Sequence, residues 1–238
     1  MGQARANPEM LPYWEHLEPA ERRLVQSNAY IRSYKKGAYI FRPGMDDCPG
    51  MLMLISGELR AHILSRDGRE VTLFRLHDGD VCVFTAACFI RQITFDTFMT
   101  AETACVAMVI GYSAFSQLTS ENVYVRCFMF ELIAERFSAV MRTMQQILFD
   151  GFDRRLAGFL VSEHDRLGTV ELRMTHEQIA KYLGSAREVV ARMLKRFALD
   201  GLVEAGRGHI RLTDLQGLRR LAADAAETDN NESNQERR

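Results

Sequence analysis

The sequence predicts an α+β protein in which a β-roll of jelly-roll type, one long helix and a winged helix-turn-helix domain follow one another along the chain. Three observations predict this order. Short apolar runs separated by glycines come first, an apolar pattern of helical spacing follows, and two capped helices then precede a glycine-rich hairpin. We assign residues 1–120 to the roll with a helical lead-in, 121–149 to the long helix, 150–222 to the winged domain and 223–238 to a disordered acidic tail.

Length and composition fit a globular protein of two domains. The chain has 238 residues, of which 47% are hydrophobic. No apolar run reaches the ~18 residues of a membrane-spanning helix, and residues 1–12 lack the basic-then-apolar pattern of a signal peptide. The five cysteines lack the short spacings of a secreted disulfide framework. We therefore expect a cytoplasmic protein with no membrane partner.

Charge is distributed unevenly along the chain. The formal net charge is only −1, but residues 150–220 carry 13 lysines and arginines against 10 carboxylates, a local excess of +3. The tail from residue 221 carries 2 basic residues against 5 acidic ones. A local basic excess is what a surface that binds nucleic acid requires, so the C-terminal domain is the candidate for such a surface.

The roll is predicted from the regular spacing of its turns. Glycines at positions 37, 44, 57, 68 and 79 separate runs rich in Val, Ile, Leu, Phe and Tyr. Such spacing is typical of a roll or barrel of short antiparallel strands. Asp67-Gly68 lies between two apolar runs and predicts a hairpin. Upstream of the roll, Glu18-Pro19 predicts the start of a helix.

One apolar seam marks the long helix. Its members recur at alternating spacings of three and four residues: Phe130, Ile133, Phe137, Val140, Met144 and Ile147. A seam of this kind suits pairing with another helix, most simply a second copy of the chain across a two-fold axis. The alternative is a helix that packs on its own β-domain.

Residues 174–197 contain start signals for two helices. Thr175 with Gln178 predicts one capping box, and Ser185 with Glu188 predicts a second. Gly184 lies between the two helices, where a left-handed residue is needed. The pattern is that of a helix-turn-helix.

Apolar residues define the inner faces of both helices: Ile179, Ala180 and Leu183 on the first, and Val190, Met193, Leu194 and Phe197 on the second. This arrangement leaves Arg187, Glu188 and Arg192 on the outer face of the second helix, near its N-terminus. A helix-turn-helix places its base-reading residues there. Downstream, residues 202–212 predict a small hairpin around Gly206-Arg207-Gly208, which would form a wing beside the reading helix.

The order of roll, long helix and winged helix-turn-helix resembles the family of the cyclic-AMP receptor protein and the fumarate–nitrate regulator, the Crp/Fnr transcription regulators. The resemblance covers roughly residues 12–222 and rests on four stretches: 36–44, 51–59, 76–80 and 185–192. It implies a cyclic-nucleotide-binding-like roll, a homodimer formed through the long helix, and binding to a palindromic double-stranded DNA site. RNA polymerase is an implied partner if the protein is an activator, but the sequence does not distinguish an activator from a repressor.

The resemblance also implies roles for individual residues. Glu188 matches the family's glutamate that accepts from cytosine, and Arg192 matches an arginine that donates to guanine; both pairings are favourable in the major groove. Arg187 matches a further guanine-reading arginine of the cyclic-AMP receptor branch, which predicts TGTGA-like rather than TTGAT half-sites. The candidates for phosphate contacts are Thr175, Ser185, Arg207 and His209.

The sensing end departs from the family pattern. In the stretch 79–94 the glutamate of the family's phosphate-binding cassette is not at its expected position, and no Arg-Ser or Arg-Thr pair follows it. A buried cyclic phosphate would lack its charge partner, so cyclic AMP is an improbable effector. No cysteine precedes Cys48, which argues against the N-terminal iron–sulfur cluster of the other branch. Cys82 and Cys88 lie where the cassette should be; they are either core residues or a site for thiol redox, haem or metal chemistry. The effector therefore stays unknown, and no metal ligands are assigned.

Two other functional classes compete with a DNA-binding regulator. A sensory module of the cyclic-nucleotide type that acts through a protein partner is the alternative, with the helix pair merely structural. An enzyme is not expected, because the sequence lacks a phosphate-binding loop, a nucleophile elbow or another catalytic signature, and no catalytic residue is assigned.

Overall fold

A computed structural model describes residues 6–44, 50–66, 68–82 and 96–223 of the chain. Two compact units are present. The first comprises Met1–Leu64 and Leu73–Met141, and the second comprises Ser65–Thr72 and Arg142–Arg238. Cys48, Cys88 and most of the predicted acidic tail fall outside the described residues. None of the helices in the described ranges is both long and apolar enough to cross a membrane.

The lead-in is helical, as predicted. Two short 3-10 turns at Pro8–Met10 and Trp14–His16 precede helix α1 at Pro19–Asn28. Glu18 caps α1 in a capping box with Glu21, whose carboxylate accepts the Glu18 N–H at 2.7 Å. The start signal at Glu18-Pro19 is therefore confirmed.

Within the described residues the roll has eight strands, and the predicted fold class is confirmed. They are β1 Ala29–Tyr34, β2 Tyr39–Phe41, β3 Met51–Ser56, β4 Leu59–Leu64, β5 Glu70–Leu76, β6 Val81–Cys82, β7 Phe98–Ala101 and β8 Cys105–Ile110. One four-stranded sheet has the order β1-β8-β3-β6 and the other β2-β7-β4-β5. Gly68, with φ +80°, lies in the β4–β5 connection, where Asp67-Gly68 predicted a hairpin.

Two apolar cores stabilise the first unit. One contains Met51, Met53, Met108 and Ile110 of the first sheet, together with residues of the lead-in and helices. The other lies between the two sheets, whose strands contribute alternate side chains to it. Gly57 is needed beside this second core, since its φ is +108° and a Cβ there would lie 2.7 Å from the Ala104 carbonyl oxygen.

Helix α2 spans Tyr112–Glu121 and the long helix α3 spans Val123–Phe149. Asn122 fixes the start of α3, because its Oδ1 accepts the N–H groups of Tyr124 and Val125 at 2.9 and 3.1 Å. Its Nδ2 donates to the His16 carbonyl at 3.0 Å and to Glu21 at 2.8 Å. One buried side chain thus joins the lead-in to the long helix.

The remaining elements of the second unit are α4 Phe152–Leu167, β9 Glu171–Leu172, α5 His176–Leu183, α6 Arg187–Leu199, β10 Val203–Gly206, β11 His209–Leu212 and α7 Leu215–Ala223. A three-stranded sheet has the order β10-β11-β9. The two-residue strand β9 was not predicted, since it is too short to show an alternating pattern. The helices enclose one apolar core in which Leu156, Ile179, Val190 and Ile210 are fully buried.

Candidate nucleic-acid interface

The first helix of the pair, α5, begins as predicted. The Thr175 hydroxyl oxygen accepts the Gln178 N–H at 3.2 Å, and the Gln178 side-chain oxygen accepts the Thr175 N–H at 2.8 Å. This reciprocal pair is a complete capping box, so the prediction for Thr175 as a cap is confirmed. Because the Thr175 hydroxyl acts only as an acceptor in the cap, its proton is left to donate elsewhere.

The turn between the helices contains the left-handed glycine that the sequence predicts. Gly184 has φ +60° and its N–H donates to the Ala180 carbonyl. The Ser185 N–H donates to the same carbonyl at 2.9 Å, which completes a Schellman ending of α5. A residue with a Cβ is disfavoured at position 184 because of this φ value.

The second predicted capping box is wrong. Helix α6 begins at Arg187 and its N-cap is Ala186, with no side-chain cap. Ser185 belongs to the ending of α5, since its N–H closes the Schellman motif, and it therefore lies one residue too early to cap α6. The N–H groups at the start of α6 have no side-chain partner, and the Ser185 hydroxyl makes no hydrogen bond within the described residues.

Three charged side chains at the start of α6 form the surface that we call the reading face: Arg187, Glu188 and Arg192. All three are exposed, and none makes a hydrogen bond or ion pair with another described residue. The opposite side of α6 is anchored by Val190, which is fully buried, and by Leu194 at 1% exposure. The helix therefore presents three unpaired charged groups on a rigid support.

Lys195 extends this surface by one further turn. It is exposed and unpaired within the described part of the chain, whereas its neighbour Arg196 forms an ion pair with Asp200 at 3.7 Å. The sequence alone does not separate these two residues. The acidic residue at i+4 is the one signal that marks Arg196 as the paired member.

The predicted wing is present as the β10–β11 hairpin. Arg207 lies at its exposed tip, next to Gly208 with φ +77°. The imidazole of His209 packs over Gly206, where a Cβ would meet its Cε1 at only 2.0 Å. Nearby, Arg211 is paired with Glu171 at 3.5 Å and Glu204 at 3.8 Å, so Arg207 is the arginine of the wing that lacks an ion pair among the described residues.

The long helix carries two apolar stripes rather than the single predicted one. Phe130, Phe137, Met144 and Ile147 are exposed by 42–65%. Ile133, in contrast, packs against the first core of its own unit and Val140 packs against the second. These two side chains hold α3 on its own roll, and their place in an intermolecular seam stays a prediction.

A different set of exposed residues follows a regular heptad pattern. We define the dimer seam by these eight residues: Val123, Cys127, Phe130, Ala134, Phe137, Met141, Met144 and Leu148. Their spacings alternate strictly between four and three, as in a coiled coil. Phe137 is 65% exposed and Leu148 is 67% exposed, which is unusual for side chains of this size in a folded protein.

The structure describes one of the two candidate effector residues of the roll, Cys82. Cys82 is 1% exposed, and its thiol donates to the Met99 sulfur at 3.4 Å inside the second core. This environment is that of a small core residue. Cys88 lies outside the described residues. Within the described ranges, no cluster of three or more His, Cys, Asp or Glu side chains has an arrangement that could hold a metal ion.

Two family models match the chain. One, described as a cyclic nucleotide-binding domain, matches residues 31–122, and the other, described as a Crp-like helix-turn-helix domain, matches residues 154–221. The first covers β1–β8 of the roll, and the second covers the capped helix pair with the reading face and the wing.

Full-length relatives agree with these two matches. A crystal structure described as a Crp/Fnr-family transcriptional regulator from Eubacterium rectale has a TM-score of 0.84 and 40% identity, covering 90% of this chain and 99% of that one. "Probable transcriptional regulator flp" of Lacticaseibacillus casei is 24% identical over 220 residues, 90% of this chain and 96% of the relative. "Electron transport regulator A" of Shewanella oneidensis is 26% identical over 199 residues, 80% and 78% of the two chains.

Proposed function

Because the chain belongs to the Crp/Fnr family of transcription regulators, we propose that it acts as a homodimer that reads a palindromic DNA site through the start of α6. The family is one of regulators and not of enzymes. The observation that supports this reading mode best is the reading face, with two arginines and a glutamate exposed and unpaired on a buried support.

Each residue of the reading face has a proposed partner on DNA. The Glu188 carboxylate accepts from a cytosine amino group, and Arg192 donates two hydrogen bonds to one guanine. Arg187 donates to a second guanine, so the half-site contains two guanines and resembles TGTGA rather than TTGAT. An exposed arginine without a carboxylate partner loses only hydrogen bonds to water when it binds a base. The free-energy cost of forming these contacts is therefore low.

Phosphate contacts would hold the helix in register without reading sequence. Thr175 has a hydroxyl proton to donate, and the Ser185 hydroxyl has no competing partner among the described residues. Arg207 at the tip of the wing is positioned by Gly206 and His209, and Lys195 adds a further cation beside the reading face.

The proposed dimer forms through the dimer seam of α3. Two copies packed in parallel would cover the exposed phenylalanines at positions 130 and 137, whose burial stabilises the pair by about 2 kcal/mol for each side chain. A two-fold axis along the helices also matches the symmetry of a palindrome, in which the two half-sites lie about 34 Å apart.

A signal at the roll would shift the dimer between two states, of which only one places both reading helices in successive major grooves. The cyclic nucleotide-binding type of domain fits a small-molecule effector. We propose an effector other than cyclic AMP, because the cassette lacks its charged residues. Burial of Cys82 favours its role in the core over a thiol, haem or metal site with Cys88. If the output is activation, RNA polymerase is the protein partner.

The sensing proposal is tested by purification without oxygen, followed by a visible spectrum and metal analysis. A colourless, metal-free protein whose DNA binding responds equally to oxidant in the wild type, Cys82→Ser and Cys88→Ser supports the core role of these residues. A response that disappears in either variant contradicts that role.

The DNA-reading proposal is tested by titrating the full chain against a labelled duplex with two inverted TGTGA half-sites, whose centres lie about one helical turn apart. A TTGAT duplex and a scrambled duplex of equal length serve as controls. We expect the tightest binding to the first duplex, with an affinity that falls steeply between about 50 and 200 mM salt. Equal affinity for all three duplexes, or preference for TTGAT, would contradict the assignment.

A protein-binding module is the second class of function to distinguish. It is not favoured, since the C-terminal domain matches a DNA-binding helix-turn-helix and its reading face is open. The absence of salt-dependent binding to the palindromic duplex would be the sign of such a module.

A further inference from the structure

The C-terminal end of α5 is held by two side chains from outside the helix pair. The last carbonyls of a helix have no partner within the helix and need other donors. The Lys181 carbonyl accepts from the Thr72 hydroxyl at 2.9 Å, and the Leu183 carbonyl accepts from the Arg155 guanidinium at 3.0 Å. Both carbonyls belong to the last turn of α5, which ends at Gly184, the residue that leads into the reading face.

Thr72 belongs to a segment that is packed into the same compact unit as the helix pair. Thr72 itself is 8% exposed. Its neighbour Glu70 pairs with the Lys181 ammonium group at 3.6 Å. The side chain of Val71 lies against Gly184, since a Cβ at that glycine would be 3.1 Å from the Val71 Cγ2 atom. Three consecutive residues thus contact the end of α5 and the turn.

Arg155 approaches from the first turn of α4. Its guanidinium lies 5.5 Å from the centre of the Phe152 ring, and its Nε has no hydrogen-bond partner within the described residues. No ion pair joins Arg155 to a carboxylate in the described part of the chain. Burial lowers the pKa of Arg155, against a smaller opposing effect of Asp150. The guanidinium thus makes one hydrogen bond, to the carbonyl that ends α5, and packs on the Phe152 ring.

We propose that Thr72 and Arg155 are positioning residues for DNA reading, which fix the turn at Gly184 and thereby the direction of Arg187 and Glu188. The proposal rests on the proposed function and adds two residues that do not touch DNA. Arg187 lies four residues beyond the Leu183 carbonyl, so a shift of the turn moves the first base-reading side chain directly. Base contacts depend on bidentate geometry, whereas phosphate contacts tolerate such a shift.

Substitutions that remove only the donors test the proposal. Thr72→Val deletes the hydroxyl at nearly constant shape, and Thr72→Ser keeps it; Arg155→Met deletes the donor, and Arg155→Lys keeps one. For each full-length variant, affinity is measured for the inverted TGTGA duplex and for the scrambled duplex. We expect Thr72→Val and Arg155→Met to weaken binding to the TGTGA duplex by about tenfold, comparable with the loss of one base contact, and to leave the scrambled duplex within about twofold.

The controls separate positioning from folding. Thr72→Ser should retain wild-type affinity and Arg155→Lys should recover part of it. Equal losses on both duplexes, or no loss on the TGTGA duplex, would overturn the proposal. If Arg155→Met does not fold, the comparison of Thr72→Val with Thr72→Ser still tests the proposal.

Amide hydrogen exchange in the DNA-free protein gives a second readout. Faster exchange at residues 184–188 is expected in Thr72→Val and not in Thr72→Ser, and unchanged exchange would contradict the role of Thr72 in fixing the turn at Gly184. If the wild type itself fails to distinguish the two duplexes, the proposed half-site is wrong, while the exchange data still test whether Thr72 fixes the turn.

Discussion

Two arginines of the roll and two at the start of α6 have opposite environments. In the roll, Arg60 is 3% exposed and forms an ion pair with Glu102, and Arg75 pairs with Glu58 at 3.0 Å. On α6, Arg187 and Arg192 are exposed and make no ion pair within the described residues. A paired, buried arginine is part of the scaffold, whereas an exposed, unpaired arginine on a rigid helix can exchange water for a ligand. Composition alone does not show this difference.

The same contrast divides the long helix. Phe137 and Val140 are three residues apart, but the first is 65% exposed and the second packs on the second core of its own unit. We infer that exposed members of α3 act between copies and packed members act within one copy.

The largest effect is expected at the dimer seam. Phe137→Glu places a charge at the centre of the proposed interface, where its desolvation opposes association. We expect a monomer in light scattering and an affinity for the palindromic duplex reduced by more than about 100-fold, because the two half-sites are no longer bound together. Val140→Ala should instead lower the stability of the unit and leave the dimer intact. A dimeric Phe137→Glu protein would contradict the seam.

The register of that seam is tested by Cys127. In a parallel two-stranded coiled coil, each residue of the seam faces the same residue of the other chain. The two Cys127 side chains are therefore expected to lie next to each other. Oxidation with diamide should therefore give a covalent dimer on a non-reducing gel, and Cys127→Ser should abolish it. A non-covalent dimer that resists this cross-linking would place the helices in another register.

The next largest effect is a loss of stability, which is expected at the Arg60–Glu102 ion pair of the roll. Arg60→Ala leaves the Glu102 carboxylate without the guanidinium that it contacts, which should lower the free energy of unfolding by about 3 kcal/mol. Denaturant unfolding measures this loss. The DNA affinity of the protein that remains folded should be unchanged, and a change in base preference would contradict the structural role of Arg60.

Arg192→Ala should do the reverse of Arg60→Ala: it should lower the DNA affinity and leave the stability of the protein unchanged. Its unfolding midpoint should stay near that of the wild type, because the side chain is exposed and unpaired. Affinity for the TGTGA duplex should fall by about 10- to 100-fold, with relaxed preference at one guanine. Arg196→Ala, which removes the neighbour paired with Asp200, is the matched control and should have a much smaller effect. Similar losses in both variants would mean that charge, rather than base reading, dominates.

The smallest effect is expected at the wing. Arg207→Ala should weaken binding to all duplexes by a similar factor and reduce the slope of log affinity against log salt by about 1. The control at the same hairpin is Arg211→Ala, which should have a smaller effect because Arg211 is already paired with Glu171 and Glu204. A loss confined to the TGTGA duplex would show that Arg207 reads bases.

Much of this fold was predictable from the sequence because its signals are local. Thr175 and Gln178 form the capping box that their spacing predicts, and Gly184 adopts the left-handed conformation that the turn between the two helices requires. The roll and the wing follow from alternating apolar runs with glycines between them. Local hydrogen bonding and backbone freedom determine such elements, so neighbouring residues suffice to predict them.

Other features depend on partners distant in the chain. Ser185 and Glu188 have the spacing of a capping box. The Ser185 N–H instead donates to the Ala180 carbonyl at the end of α5, and the N-cap of α6 is Ala186. Ile133 and Val140 fit a heptad seam, yet they pack on cores built by the lead-in and the sheets. The positions of Thr72 and Arg155 beside α5 gave no sequence signal, since both contacts join a side chain to a distant carbonyl.

We propose that two copies of the reading face recognise one palindrome. Selection of the full chain against a pool of random duplexes tests it most directly. We expect two inverted half-sites, each with two guanines in a TGTGA-like sequence, whose centres lie about one helical turn apart. The same selection with Arg187→Ala should lose the preference for one of the two guanines. Enrichment of a single unpaired half-site, of TTGAT half-sites, or of no sequence at all would contradict the claim.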